Sequence, residues 1–497
     1  MIMTNVLEYL EASAARFPGK TAVANADARY TFSELCDLAR RIGATLRGIG
    51  IAGKPVGVFA ERGIEAIAFF LGALYGGGYY VPIDPELPEK KLQSILDDAD
   101  FPAVLGMPSM AGAVEVLRFG GRYLTMAEIG EETCEIPDTD SRDPLYMVYT
   151  SGSTGQPKGV LKSHAAEISF IEAYCATFGF GSDEIIGNQT PFFFDASAKD
   201  LYMMLKLGAT IEILPSTLFT LPPELIDYLN AKQVTFASWV PTVLSLVAQL
   251  NPFSLVKPET LRRVFFVGEV MPMKHLNRWR EALPELEYVN LYGQSEIAGI
   301  CSYYRVEGTF ADSAILPMGK PLCNCALYLL DGEQVITEPD RVGELYIVSD
   351  ALATEYYHDP EKTAACFLRR DFGAGPVRCF KTGDLAQYDA EGNLLFAARN
   401  DDQIKHMGRR IELGEIEAVA GALPEIDRCC CLYDAAKKKL VLFCQTPPGT
   451  AFTGRELRSL LRQQLTSYMV PGKVVVLDAL PINANGKINR QRLKELL

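Results

Sequence analysis

The chain has 497 residues, of which 48% are hydrophobic and 22% charged, with a formal net charge of −14. Such a length exceeds what one hydrophobic core usually supports, so two or more domains are expected. The acidic balance argues against nucleic-acid binding, and no run of about 18 apolar residues supplies a membrane-spanning helix. The start, "MIMTNVLEYLEASAARFPGK", lacks a basic region followed by an apolar run, so no secretory signal is expected. Twelve cysteines without a regular framework fit a reducing cytoplasm. "CNC" (323–325) and "CCC" (429–431) lack C-x-x-C spacing and are read as packing residues rather than metal ligands.

In chain order, "YTFSELCDLARRIGATLRGIG" (30–50) opens with a capping box, Thr31 with Glu34, and continues as an amphipathic helix. "PVGVFA" reads as a short buried strand, "GIEAIAFFLGALYGGG" as a helix ending in glycines, and "YYVPID" as another strand. The alternation recurs at "VTFASWV", "RRVFFVGE" and "LEYVNLYG". It predicts an α/β fold of parallel-type sheets with helices on their faces. Beyond about residue 320 the segments "CALYLLDGEQVITE" and "GELYIVSD" predict a β-rich subdomain, and a small α+β tail follows. Residues 402–497 carry a net charge of +5 on an otherwise acidic chain, which suggests a separate module with its own partner.

"YTSGSTGQPKGV" (149–160) follows the apolar run "LYMVY". Its glycines, hydroxyls and Lys158 suit phosphate oxygens, which backbone N–H groups and a cation can cradle. It is not a Walker A loop, because Pro157 precedes Lys158 where a glycine should stand, and no G-x-G-x-x-G follows a strand.

With this loop the chain resembles the adenylate-forming enzymes: amino-acid adenylation domains, acyl-CoA synthetases and luciferases. Further matching motifs occur in the same order: "GGGYYVPIDP", "NLYGQSEIAG", "GELYIVSDALATEYYHDPEKTAACF", "FKTGDL", "ARNDDQIKHMGRRIELGEIE" and "NANGKINRQRL". The resemblance spans essentially the whole chain. It implies a large N-terminal core (1–400), a small mobile C-terminal domain (401–497), ATP and Mg²⁺. It also implies residue roles. Thr150, Ser151, Gly152, Ser153, Thr154, Gly155 and Lys158 would hold phosphates, and Tyr292, Gly293 and Ser295 would line the nucleotide site, with Tyr292 stacked on adenine. Glu296 would help hold Mg²⁺, which prefers few protein carboxylates. Asp384 would accept the ribose hydroxyls, with Arg399 close to ribose or phosphate. Lys487 would bridge the substrate carboxylate and the α-phosphate, and Asp401 would be the hinge that brings Lys405 and Gly408 to the site for a second half-reaction. Ala398, Val348-Ser349, Gln294-Ser295 and Lys381 depart from the family pattern without removing a charged catalytic group.

The acid to be activated is read from "PFFFDASAKDLYMML" (191–205). In amino-acid-activating members the residue matching Asp195 binds the substrate ammonium, whereas acyl- and aryl-CoA ligases lack that aspartate; the alternative is a helix N-cap. The resemblance places Asp195, Ala196, Lys199, Ser238, Phe265, Val267, Leu291, Gly299 and Ile300 around the substrate, together with Lys487. Two readings of Lys199 stand: an i,i+4 partner of Asp195, or a pocket cation that favours an acidic or polar side chain. The chain ends soon after "NANGKINRQRL", which suggests a stand-alone ligase loading the phosphopantetheine thiol of a separate carrier protein. A D-alanine–carrier-protein ligase is one candidate, an acyl- or aryl-CoA ligase a rival, and a non-catalytic nucleotide-binding protein a rival of another class.

Overall fold

A computed structural model describes residues 3–59, 62–150, 157–399, 403–447, 452–482 and 488–497. The chain forms two compact units: Met1–Pro85, Ala99–Val148 and Gly159–Asn400 make the first, and Glu86–Asp98, Tyr149–Lys158 and Asp401–Leu497 the second. Among the described residues no helix is long and apolar enough to cross a membrane.

The first unit is built on three sheets. A nine-stranded sheet runs Lys320–Pro321, Ser302–Arg305, Glu287–Tyr292, Arg263–Val267, Phe236–Trp239, Ile185–Asn188, Thr210–Ile213, Thr21–Ala24, Arg29–Thr31. Its inner pairs are parallel and its edges antiparallel. A seven-stranded sheet has Tyr79–Ile83, Pro55–Phe59, Ala103–Gly106 and Pro144–Thr150 inside it, with Lys158–Ser163 next to Pro144–Thr150. Tyr149–Lys158, most of the 149–160 motif, belongs to the second unit. The third sheet is antiparallel and contains Cys325–Asp331, Gly343–Ser349, Pro376–Tyr388 and Leu394–Arg399.

Local sequence explains these elements. Thr31 accepts from the Glu34 N–H while the Glu34 carboxylate accepts from the Thr31 N–H, which fixes the start of the helix Phe32–Arg47. The apolar runs "PVGVF" and "YYVPI" are buried along their whole length, as strands covered on both faces must be. The helix Ile64–Tyr75 is buried at nearly every position between them. The expected α/β fold with a β-rich subdomain is therefore the observed one.

The second unit holds a three-stranded sheet (Arg428–Asp434, Lys439–Gln445, Lys473–Val476), the hairpin Gln403–His406 with Arg409–Glu412, and the helices Leu413–Gly421 and Gly454–Leu461. Met407 and Gly408, at φ 52° and 76°, form the hairpin's tight turn. Leu413, Ile416, Leu442, Leu457 and Leu461 fill its core. Within this unit Lys91 pairs with the buried Glu415, and the Tyr149 hydroxyl donates to Asp98 at 2.6 Å.

Candidate active site

Asp195 opens a single 3-10 turn, Asp195–Ser197, ahead of the helix Ala198–Leu207. Its side chain caps neither, which excludes the N-cap reading. Instead Asp195 Oδ1 accepts from the Tyr146 hydroxyl at 3.0 Å and pairs with the Lys162 ammonium. Lys162 is 0% exposed, also donates to the Ile297 carbonyl at 3.3 Å, and lies 5.1 Å from the Tyr146 ring centroid. Oδ2 takes no donor among the described residues. Asp195 lines a narrow aromatic cavity with Phe70, Tyr80, Tyr146, Phe192 and Phe194. The rings form a ladder: Phe70 stacks on Tyr80 at 4.4 Å and Tyr80 on Tyr146 at 5.3 Å, and the hydroxyls of Tyr80 and Tyr202 share a hydrogen bond of 2.9 Å. Burial raises the Asp195 carboxyl above the ordinary carboxylate range, opposed by the charge of Lys162 and its hydrogen bond.

Two expectations are thereby corrected. The cation that offsets the burial of Asp195 is a residue of the chain, Lys162, rather than a ligand alone. Nor does Lys199 pair with Asp195 or line the aromatic cavity: it is buried, donates to the Ala196 carbonyl at 2.8 Å and pairs with Asp200 at 3.1 Å. Its charge is matched by its neighbour, and Asp200 is held in turn by Asn188 Nδ2 at 3.0 Å. A signal for Lys162 exists in the sequence. It stands in "KGVLKS", a strand buried at every position, where a lysine needs a carboxylate partner.

Most of the other residues expected at the substrate lie elsewhere. Ser238 is registered against Phe265 and Val267 against Leu291, so the four side chains share one face of the nine-stranded sheet. Phe265 meets Phe178 with centroids 4.7 Å apart, and Gly299, at φ 75°, lies under Phe170, whose ring a Cβ would approach to 2.6 Å. Ile300 is buried, Ala196 half-buried. Of the described residues in the expected substrate set, Asp195 and Ala198's neighbour aside, none but Asp195 lines the aromatic cavity. Ser238 Oγ is buried with no hydrogen-bond partner among the described residues.

Of the residues expected at the nucleotide, Tyr292 and Arg399 meet at Asp384, which is 1% exposed. Its Oδ2 accepts from the Tyr292 hydroxyl and from Gln294 Nε2 (2.6 Å), and its Oδ1 pairs with Arg399. Arg399 thus pairs with the residue expected to hold the ribose. Gln294, one of the departures from the family pattern, supplies a donor that its motif alone does not assign. Gly293 is pressed against the 299–300 backbone: a Cβ there would lie 2.1 Å from the Gly299 carbonyl oxygen. Ser295 is half-buried beside Glu296, which is 0% exposed and accepts from the Tyr356 hydroxyl at 2.7 Å. A buried carboxylate oriented by a hydroxyl suits Mg²⁺, which binds through few protein ligands.

In the second unit, Thr150 Oγ1 is buried and without a partner among the described residues, as a hydroxyl meant for a phosphate would be. Lys158 is buried, and Lys405 lies on the hairpin strand Gln403–His406 opposite Arg410. Ser151, Gly152, Ser153, Thr154, Gly155, Asp401 and Lys487 lie outside the described residues. All twelve cysteines are free thiols, and Cys429–Cys431 lie on the core strand Arg428–Asp434.

The α/β core with this order of motifs defines an adenylate-forming enzyme. Residues 10–357 match the model of the AMP-binding enzyme and residues 415–487 that of its C-terminal domain, so the chain belongs to the AMP-binding enzyme family. It is similar to a mycosubtilin synthase polypeptide of Bacillus subtilis (33% identity over 98% of this chain and 19% of that protein). It is also similar to tyrocidine synthase 2 of Brevibacillus parabrevis (30% over 98% and 13%). The chain spans about a fifth or less of these relatives' length. Among solved structures it resembles holo-PA1221, an NRPS protein containing adenylation and PCP domains, at 25% identity and TM-score 0.86 over 99% of this chain and 84% of that one. The Vibrio cholerae adenylation domain AlmE, in complex with glycyl-adenosine-5'-phosphate, shares the fold (21%, TM-score 0.84, 100% and 98%).

Proposed function

We propose that the protein activates an amino acid with ATP and Mg²⁺ and passes the aminoacyl group to the phosphopantetheine thiol of a carrier protein. The observation that carries this reading is Asp195: a carboxylate on an aromatic cavity, fixed through Oδ1 by Tyr146 and Lys162, with Oδ2 left for an ammonium. Aromatic walls and a carboxylate together suit a cation. The similarity to peptide synthases and to an adenylation–PCP protein supports both the substrate class and the carrier. In this reading the substrate carboxylate attacks the α-phosphorus in line, with pyrophosphate leaving. Lys487 stabilises the charge that develops there, Asp384 holds the ribose, and Glu296 would hold Mg²⁺, which when bound would supply charge neutralisation at the phosphates. Rotation of 401–497 about Asp401 then brings Lys405 to the site for thioester formation.

Lys162 favours a second reading. Because Asp195 already has a cation, an acid without an amino group would leave the site neutral, which would suit acyl- or aryl-acid activation despite the aspartate. ATP–pyrophosphate exchange over L-amino acids, D-alanine, fatty acids and aryl acids separates the two. Exchange with an amino acid well above that with its des-amino counterpart supports the proposal; preference for the des-amino acid refutes it.

A further inference from the structure

The Lys162–Asp195 pair has a buried neighbour. Glu167, in the first turn of the helix His164–Phe178, is 0% exposed, and its Oε2 lies 3.2 Å from the Tyr146 hydroxyl. That hydroxyl is also 3.0 Å from Asp195 Oδ1, so it bridges two carboxyl groups. Glu167 Oε1 has no hydrogen-bond partner among the described residues.

A tyrosine hydroxyl carries one proton and can donate to only one of the two. The second link requires a proton on a carboxyl group. Lys162 sits on Asp195, which makes Asp195 the ionised member. Glu167 is then the acid: its O–H donates to Tyr146, and Tyr146 donates to Asp195. Burial pushes the Glu167 carboxyl up to about 8; Lys162 opposes this and Asp195 adds to it. In this state the cluster is neutral, with one ammonium, one carboxylate and one protonated acid. Burial holds Tyr80, on the strand Tyr79–Ile83, and Tyr202, on the helix Ala198–Leu207, well above the usual phenol range, and the charge of Glu167 adds to it. The charge of Glu296 also acts on Asp195 and raises its carboxyl.

Resting on the reading of Asp195 as an ammonium site, we propose that Glu167 is its exchangeable countercharge, protonated while the cavity is empty and ionised when an amino acid's ammonium lies beside Asp195. With the ammonium at Oδ2 the cluster would hold two cations and one carboxylate. Breaking the Glu167 O–H bond leaves the electron pair on the carboxylate, sends the proton to bulk water and restores neutrality. The liganded site holds one proton fewer on the protein, so binding strengthens as pH rises. It levels off above the empty-site value.

The test uses the full chain and its Glu167→Gln variant, in which the amide keeps a hydrogen bond to Tyr146. The probe is whichever of the twenty protein amino acids or D-alanine gives the fastest ATP–pyrophosphate exchange. The wild type should show an amino-acid KM that falls about tenfold from pH 6 to 7 and about fivefold from pH 7 to 8, with a pH-independent ATP KM. Calorimetry in buffers of different ionisation enthalpy should count about one proton released per amino acid at pH 7. Glu167→Gln should release none and show a flat profile. The same slope and release in both proteins overturn the proposal. A substrate-independent readout is the carboxylic-acid C=O band in the infrared spectrum of the empty protein at pH 7, which should vanish in Glu167→Gln; equal spectra overturn the proposal too. If no amino acid supports exchange, the functional reading fails and the countercharge role falls with it, whatever the infrared band shows.

Discussion

Replacing Lys162 with methionine keeps most of the side chain's volume and removes its charge, leaving the Asp195 carboxylate buried with only Tyr146 as a donor. Breaking a buried pair by removing one partner costs about 3–5 kcal/mol. With an unfolding entropy of about 2.1 cal/mol/K per residue, a unit of about 380 residues should lose about 4–6 °C of melting temperature. The loss should depend on pH. Asp195 is already raised by burial, and without Lys162 it rises further. A carboxyl raised above its unfolded value contributes stability at low pH that is lost as pH climbs through the raised value. Thermal unfolding of Lys162→Met should therefore show the full decrease near pH 8 and a much smaller one near pH 5. Adding Asp195→Asn should recover most of the loss at pH 8, because no buried charge remains. An equal loss at both pH values, or additive losses in the double variant, would refute the pairing argument.

Other outcomes follow from the same structure. Asp384→Asn leaves Arg399 and the Tyr292 hydroxyl facing an amide, and loss of charge-assisted hydrogen bonds of about 1.5–3 kcal/mol should raise the ATP KM in pyrophosphate exchange about 10- to 100-fold. His164 is buried and its Nδ1 accepts from the Val6 N–H at 3.2 Å; burial lowers it to about 4. The unfolded chain therefore binds the extra proton first, and stability should fall by about 3 kcal/mol between pH 6.5 and 4; a flat denaturation profile for wild type across that window would contradict this. Gly293→Ala forces a Cβ against the Gly299 carbonyl oxygen, a backbone atom that cannot swing aside. Exchange activity should drop sharply while the second unit, probed by limited proteolysis, stays intact. The net charge of +5 on 402–497 would complement an acidic carrier, so reversing Lys437, Lys438 and Lys439 to glutamate should slow carrier loading severalfold at low salt, measured as thioester formation, and leave pyrophosphate exchange unchanged.

The elements legible in the sequence were those whose apolar pattern is local. The capping box at Thr31 and Glu34, the runs "PVGVF" and "YYVPI", and the β-rich character of "CALYLLDGEQVITE" all formed as their patterns required. The face shared by Ser238, Phe265, Val267 and Leu291 follows from the period of two along neighbouring strands. What escaped were pairings between distant segments. Lys162 and Asp195 are 33 positions apart, and Gln294 and Asp384 are 90 apart. A local rule instead paired Lys199 with Asp195 four residues away, whereas in the fold Lys199 takes its immediate neighbour Asp200 and the Ala196 carbonyl. Charged residues inside buried strands were the clue left unused: "GVLKS" contains a cation that water does not reach.

Asp195 as the recognition point for an amino group is the centre of the functional reading. The most direct measurement is ATP–pyrophosphate exchange with the preferred amino acid and its des-amino counterpart, in the wild type and in Asp195→Ala. A strong preference for the amino acid is expected in the wild type, collapsing in the variant through a raised amino-acid KM, with the ATP KM unmoved. An undiminished preference in Asp195→Ala, or a wild type that favours the des-amino acid, would contradict it.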